Sequence, residues 1–181
     1  IATISGSTIT ILKAGTTTVS VSQVANANYS SSDSSSFTLT VNKRSPHITN
    51  PTALTFDYSS NTQTFNLTSY ITSDSSGAMT YNCVDETIAT ISGSTITILK
   101  AGTTTVSVSQ VADADYSSGS ATFNLTVNKI SPSITNPTAL TFNYSSSTQT
   151  ANLTSYITSN SSGAMTYNSS DETIARISGS T

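Results

Sequence analysis

The residues able to do acid–base or thiol chemistry are few, and the chain does not repeat them. His47 is the single histidine and Cys83 the single cysteine, and the residues 86 positions later are Ser133 and Ser169. Acid–base catalysis needs a base held by an orienting partner, which no recurring set of residues supplies here. We therefore predict no catalytic residue and no enzyme. His47 is expected to be solvated, and Cys83 to be a small core residue or a cross-link between chains.

Two acids form the only candidate metal site. Asp113 and Asp115 lie two residues apart in a long polar loop, and Asp57 and Asp74 could approach a junction between domains. Calcium takes six to eight oxygen ligands, several of them carboxylates, so Asp113 and Asp115 are weak calcium candidates. Asn26 and Asn28 occupy the matching positions earlier in the chain. Acids that favour a turn are the simpler interpretation, and we predict no metal and no cofactor.

Several asparagines stand in Asn-X-Ser/Thr sequons, which are acceptors for N-glycosylation. In a chain so rich in Ser and Thr, chance alone supplies many of them. The candidate sites are Asn28, Asn66, Asn124, Asn143, Asn152, Asn160 and Asn168.

Tyr29 and Tyr116 occupy the same loop of two copies of the sequence. We expect the tyrosine hydroxyl to tie a corner of a β-sandwich. A platform on which a ligand stacks is the alternative.

A tandem repeat organises the chain. Residues 1–25 return unaltered as 88–112, and Lys43 recurs 86 positions later as Lys129. A unit of this length can hold its own small core. We predict a leading segment (residues 1–43, the C-terminal part of a repeat), a middle repeat (44–129) and a trailing segment (130–181, the N-terminal part of the next). We interpret the two partial repeats as parts of a longer array. The alternative is that strands of neighbouring chains complete them.

Composition and periodicity indicate strands throughout. Charged residues make up 8% of the chain and hydrophobic residues 35%, with a net charge of −3. Apolar and polar residues alternate in segments such as 53–57 and 105–109, with Val106 and Val108 predicted to face inward, and no helical period appears. The prediction is an all-β chain of tandem antiparallel sandwiches, about seven strands each.

The same composition argues against two classes of partner. The six basic residues are scattered and form no stripe that could neutralise phosphates, so we predict no nucleic-acid partner. No apolar run approaches the roughly 20 residues of a membrane helix, so we predict no membrane span.

Four stretches resemble a known family. They are similar to bacterial immunoglobulin-like repeats, the Big-type modules of surface proteins and adhesins, and comprise residues 85–93 (DETIATISG), 99–108 (LKAGTTTVSV), 112–116 (ADADY) and 125–129 (LTVNK). The resemblance implies an immunoglobulin-like sandwich outside a cell or particle. It carries over no catalytic residue.

Two functions are compatible with these features. Near-identical copies favour a structural module of an extracellular stalk, fibre or filament, whose partners are neighbouring repeats and identical chains. The alternative is an adhesin module that binds a glycan or host protein through the loops 74–77 and 113–120.

Overall fold

The computed structural model describes residues 1–179, and strands form nearly all of its regular structure. It contains fifteen strands and two single turns of 3₁₀ helix, with no α-helix in the part of the chain that is described. The all-β prediction is confirmed. The chain divides into two compact units, residues 1–129 and residues from 130 onward.

The leading segment folds into two antiparallel hairpins. β1 pairs with β2 and β3 with β4. Gly6 makes the first hairpin turn at φ 60°, a backbone conformation that suits glycine. The strands are β1 (Ala2–Ser5), β2 (Thr8–Ile11), β3 (Gly15–Val21) and β4 (Ser35–Val41).

The middle repeat contains the only large sheets in residues 1–179. Its strands are β5 (Ile48–Thr49), β6 (Ala53–Asp57), β7 (Gln63–Asn66), β8 (Thr72–Ser73), β9 (Met79–Cys83), β10 (Ala89–Ser92), β11 (Thr95–Ile98), β12 (Gly102–Gln110) and β13 (Gly119–Asn128). One sheet has the order β6-β13-β12-β9 and the other β10-β11-β7, while β5 pairs with β8. Seven strands thus form the two larger sheets, consistent with a β-sandwich.

One pairing differs from the predicted antiparallel arrangement. β6 runs parallel to β13, with Ala53 beside Asn124 and Asp57 beside Asn128. The chain enters the repeat beside the start of β13, since a carbon added at Gly119 would lie 2.4 Å from the Pro46 ring. β6 then follows β13 in the same direction. Alternation within a strand sets its inward face but not its partner, so the sequence left this direction open.

Alternating side chains of both sheets meet in one core. Val106 and Val108 on β12 are fully buried, as their alternation predicts. All buried hydrophobic residues among those described belong to the middle repeat: Leu54, Leu67, Ile71, Cys83, Ile88, Ala89, Ile96, Ile98, Val106, Val108, Phe123, Leu125 and Val127.

A short 3₁₀ turn, Leu67–Ser69, interrupts the strands of the middle repeat. The Asn66 side chain caps it by accepting from the Thr68 N–H at 3.0 Å, and Leu67 enters the core. The same turn recurs at Leu153–Ser155, where Asn152 accepts from the Thr154 N–H. A single turn is too short to show helical periodicity, so the prediction of no helix missed it.

The trailing segment has little regular pairing. β14 (Ile134–Thr135) pairs with β15 (Thr158–Ser159). Residues 139–143, 149–152 and 165–169 match β6, β7 and β9 in sequence but form no ladder. In the middle repeat those strands pair with β13, β11 and β12, which have no counterpart in residues 130–179.

Candidate functional site: the joint between leading segment and middle repeat

The leading segment contacts the middle repeat through a compact set of polar residues, which we call the joint. Both sides lie in the first compact unit. The joint consists of Ala14 and Lys43 on one side, Asp74, Asp113, Asp115 and Tyr116 on the other, and Arg44 between them.

The Asp113 carboxylate organises the loop that carries the joint. Its Oδ1 accepts the N–H groups of Asp115 at 2.9 Å and Tyr116 at 2.7 Å. Its Oδ2 accepts the N–H and hydroxyl of Ser76, both at 2.8 Å, and the Ser75 hydroxyl at 3.0 Å. These bonds, with the Ser76 hydroxyl foremost, hold the pKa of Asp113 well below its ordinary value. The loop 113–118 is thereby tied to the loop 73–77.

Two hydrogen bonds cross from the leading segment to this loop. Asp115 Oδ1 accepts the Ala14 N–H at 2.7 Å, and the Lys43 ammonium donates to the Asp113 carbonyl oxygen at 2.5 Å. Residues 43–46 form the linker between the leading segment and the strands of the middle repeat, and this linker adds two backbone bonds. The Arg44 N–H donates to the Asp115 carbonyl at 3.0 Å, and the Ser117 N–H donates to the Arg44 carbonyl at 2.8 Å. Backbone and charged groups together therefore restrain the leading segment against the middle repeat.

The Arg44 side chain lies between two groups of the middle repeat. Its guanidinium donates to Asp74 Oδ2 at 3.0 Å and lies 5.8 Å from the centre of the Tyr116 ring. Asp74 also accepts the His47 N–H at 2.7 Å. Exposed ion pairs add little stability, so this contact chiefly orients the linker. Asp74 does approach the joint, where it pairs with an arginine.

The Tyr116 side chain does not have the role that was predicted for it, in which its hydroxyl would tie a corner of the sandwich. The corner is tied by the Asp113 carboxylate and by backbone bonds, while the Tyr116 ring lies under the Arg44 guanidinium. A cation over the face of an aromatic ring is attracted by the ring's charge distribution.

Gln110 is a buried polar residue behind the joint that was not among the residues predicted to be functional. Its amide accepts the Ser73 hydroxyl at 2.7 Å and donates to the carbonyls of Ser75 at 3.0 Å and Gly77 at 2.8 Å. The available signal was alternation, because Gln110 continues the inward phase of Val106 and Val108. Gly77 permits the close approach: a side-chain carbon there would lie 1.9 Å from the Val111 carbonyl oxygen.

Both carboxylate oxygens of Asp113 and one of Asp115 are engaged in hydrogen bonds. Five N–H or O–H groups donate to Asp113, and the Ala14 N–H donates to Asp115. In residues 1–179 no three or more His, Cys, Asp or Glu side chains cluster to hold a metal ion. The hydrogen bonds of this arrangement can hold the loops 73–77 and 113–118 and the linker at Arg44 in place.

Cys83 lies in the core of the middle repeat. Its sulfur is 3.6 Å from the Thr104 hydroxyl oxygen and 3.4 Å from the Asp85 carbonyl oxygen. Its thiol would have to leave the core before it reached a second chain. His47 is exposed, and its contact with Asp74 is made by its backbone.

All seven sequon asparagines are exposed, which is the accessibility that glycosylation requires. The Asn66 and Asn152 side-chain oxygens also accept the hydroxyls of Thr68 and Thr154, at 2.9 and 2.7 Å. Asn160 accepts the Ser133 N–H at 2.8 Å. Modification at these residues stays a prediction.

No helix in residues 1–179 has the length and apolar character needed to cross a bilayer. Comparison of the chain with protein-family models, with curated proteins and with solved structures gave no significant match.

Proposed function

We propose that this chain is a structural module of an extracellular stalk, fibre or filament, built from tandem immunoglobulin-like repeats of the Big type. The joint carries the proposal. Charged and backbone hydrogen bonds at Ala14, Lys43 and Arg44 restrain one repeat segment against the next. A spacer needs such a restraint at each junction, because a freely flexible link would not transmit direction along a row of domains.

The chemistry of the surface also supports a structural role. The joint contains acids, an arginine and a lysine that satisfy one another, and no nucleophile with an adjacent base. The core is complete within residues 54–127, so a single repeat has the buried residues of a small domain.

The two loops predicted for adhesion are engaged at the joint. Asp113 binds Ser75 and Ser76 of the loop 74–77, while Asp115 and Ser117 bind Ala14 and Arg44. A loop fixed against the neighbouring segment is less available to an external ligand. This favours the structural role over the adhesin role.

The test is electron microscopy of the native assembly that carries this chain, labelled with an antibody against the middle repeat. We expect label at regular intervals along a filament or stalk. The axial repeat should be roughly 35–45 Å, one sandwich whose strands rise about 3.3 Å per residue. Antibody absorbed beforehand with the purified chain is the control. Label confined to a compact terminal head, with no periodic density, would contradict the proposal and favour adhesion.

A further inference from the structure

The segment that enters the middle repeat runs beside β13 and the loop before it, in the same direction. Arg44 and Tyr116 form a parallel bridge, and the Asn50 amide donates to the Thr122 carbonyl at 3.1 Å. β6 then continues along the last five residues of β13. This entry segment, residues 44–58, therefore advances together with the final strand of the repeat.

Hydrogen bonds follow the β6–β13 pair to the end where the chain leaves the repeat. The Tyr58 N–H donates to the Asn128 carbonyl at 3.0 Å. Bonds in a parallel pair are evenly spaced and recur at every second residue, so the N–H groups of Leu54 and Phe56 face β13 as well. The Asn128 amide also donates to Asp57 Oδ1 at 3.0 Å.

The side chains of β6 attach it to the core and to the other sheet. Leu54 is 9% exposed, and its ladder partner Leu125 is fully buried. Phe56 stacks on Phe65 of the three-stranded sheet. β6 cannot slide along β13 without losing ladder bonds and apolar contacts at the same time.

The chain enters and leaves the middle repeat at opposite ends of this pair. Residues 1–43 precede the entry segment, and Lys129 follows β13. Tension on the chain therefore pulls β6 toward its first residue and β13 toward its last. Because the strands are parallel, they are pulled lengthwise past each other, and all the ladder bonds bear the load together. In an antiparallel pair both loaded ends would lie at one end of the ladder, and the bonds would open one at a time.

We propose that the β6–β13 pair is a mechanical clamp, which lets the middle repeat resist tension along the chain. β5 precedes the clamp and adds little resistance, since its pair with β8 is two residues long. The clamp goes beyond the proposed structural role, because a spacer that holds its direction need not withstand pulling. It does not rest on that role, since the parallel pair lies within a single repeat.

The test is single-molecule force spectroscopy of the 181-residue chain, pulled through pairs of introduced cysteines in a Cys83→Ser background. Serine already stands at the matching position of the next copy, Ser169. Ser45→Cys with Lys129→Cys loads the clamp lengthwise. Ser45→Cys with Ser118→Cys is the matched control, because it pulls the same repeat apart from the end where the entry segment meets β13.

The unfolding force should depend on the direction of pulling. The three attachment residues are exposed, so the handles leave the core intact. We expect a severalfold higher force between positions 45 and 129 than between positions 45 and 118, where the bonds open in sequence.

A second comparison separates the clamp from the overall stability of the core. Leu54→Ala on β6 and Ile98→Ala on β11 remove side chains that are 9% and 7% exposed, and both should lower the urea midpoint by similar amounts. Forced unfolding is governed by the unfolding barrier, so only contacts broken at that barrier change the force. Leu54→Ala should lower the force between positions 45 and 129, whereas Ile98→Ala should leave it nearly unchanged.

Two results would overturn the proposal. They are equal unfolding forces in the two directions of pulling, and an Ile98→Ala variant that is weakened under tension as much as Leu54→Ala. A force that depends on direction and that Leu54→Ala reduces selectively would establish the clamp. Neither result depends on whether the native assembly is a filament, so failure of the clamp and failure of the proposed function are distinguishable.

Discussion

Asp113 and Asn26 stand at matching positions of the same loop in two copies of the repeat, and each forms the same hydrogen-bonded turn. They differ in the further hydrogen bonds that their side chains accept. Asn26 Oδ1 accepts the N–H groups of Asn28 and Tyr29, both at 2.9 Å, as Asp113 Oδ1 accepts its own two neighbours. Only a carboxylate offers a second oxygen, which Asp113 directs at Ser76. An asparagine at this position would place its NH₂ group against the Ser76 N–H, and two donors cannot form a hydrogen bond with each other. The residue type thus decides whether the loop is tied to its neighbour.

Asp113→Asn should lower the stability of the middle repeat at neutral pH. It should also make that stability less dependent on pH in the acid range. The folded pKa of Asp113 is depressed from an ordinary value of 3.8. Its contribution is therefore complete above that value and is lost as the pH falls toward the depressed pKa. Wild type and variant should differ most at neutral pH and converge in acid.

The measurement is the urea midpoint of unfolding as a function of pH. Asp33→Asn, an exposed acid of the leading loop, is the control and should show no such convergence. A difference between Asp113→Asn and wild type that stays constant at every pH would argue against the mechanism.

At the scale of elements, an aromatic pair joins the two sheets of the middle repeat. Phe56 on β6 and Phe65 on β7 stack with ring centres 4.0 Å apart and planes 14° from parallel. Such a pair adds to the stabilisation from burial alone. The trailing segment keeps the first ring as Phe142 but has Ala151 in place of the second. The two copies of this sequence therefore differ at one of the two positions of the ring pair.

Phe65→Ala should destabilise the middle repeat by about 2–3 kcal/mol, below the range for a fully buried phenylalanine because Phe65 is only partly buried. Chemical denaturation measured by tyrosine fluorescence gives the value. Thr64→Ala, on the outer face of the same strand, is the control, with an expected change within about 0.5 kcal/mol. Equal effects of the two substitutions would show that the ring pair does not couple the sheets.

At the scale of the whole molecule, residues 1–179 contain one contiguous cluster of buried hydrophobic residues. The buried hydrophobic residues among those described run from Leu54 to Val127, although the leading segment carries the same inward-facing sequence as β10 to β13. Cooperative unfolding requires a packed core, so the cooperative transition of the chain should belong to the middle repeat.

Val106→Asp should abolish that transition, because a carboxylate at a fully buried site pays a large desolvation penalty. Val19→Asp makes the same change at the matching position of the leading segment, where the side chain is only partly buried. Val19→Asp should leave the transition in place. Calorimetry measures both. Loss of the transition in both variants would mean that the segments share one core.

The sequence by itself determined the repeat, the strand-forming segments of the middle repeat and the inward phase of Val106 and Val108, because alternation along a strand is local. The sequence also identified Asp113 and Asp115 as candidate site residues, but as weak calcium ligands and not as the hydrogen-bond acceptors of the joint. Their donors come from Ser76, about 40 residues away, and from Ala14, about 100 residues away, and no local pattern encodes such contacts. The joint was therefore visible only in the folded chain.

Tertiary structure alone decided partners and burial. β6 runs parallel to β13, and the amide of Gln110, which alternation already places inward, has hydrogen-bond partners there because a neighbouring loop supplies carbonyl groups. Phe37 and Phe123 stand at matching positions of the two copies, yet one is exposed and the other buried. Whether a side chain is buried depends on the strands that pack against it, and in the middle repeat those strands come from distant parts of the sequence.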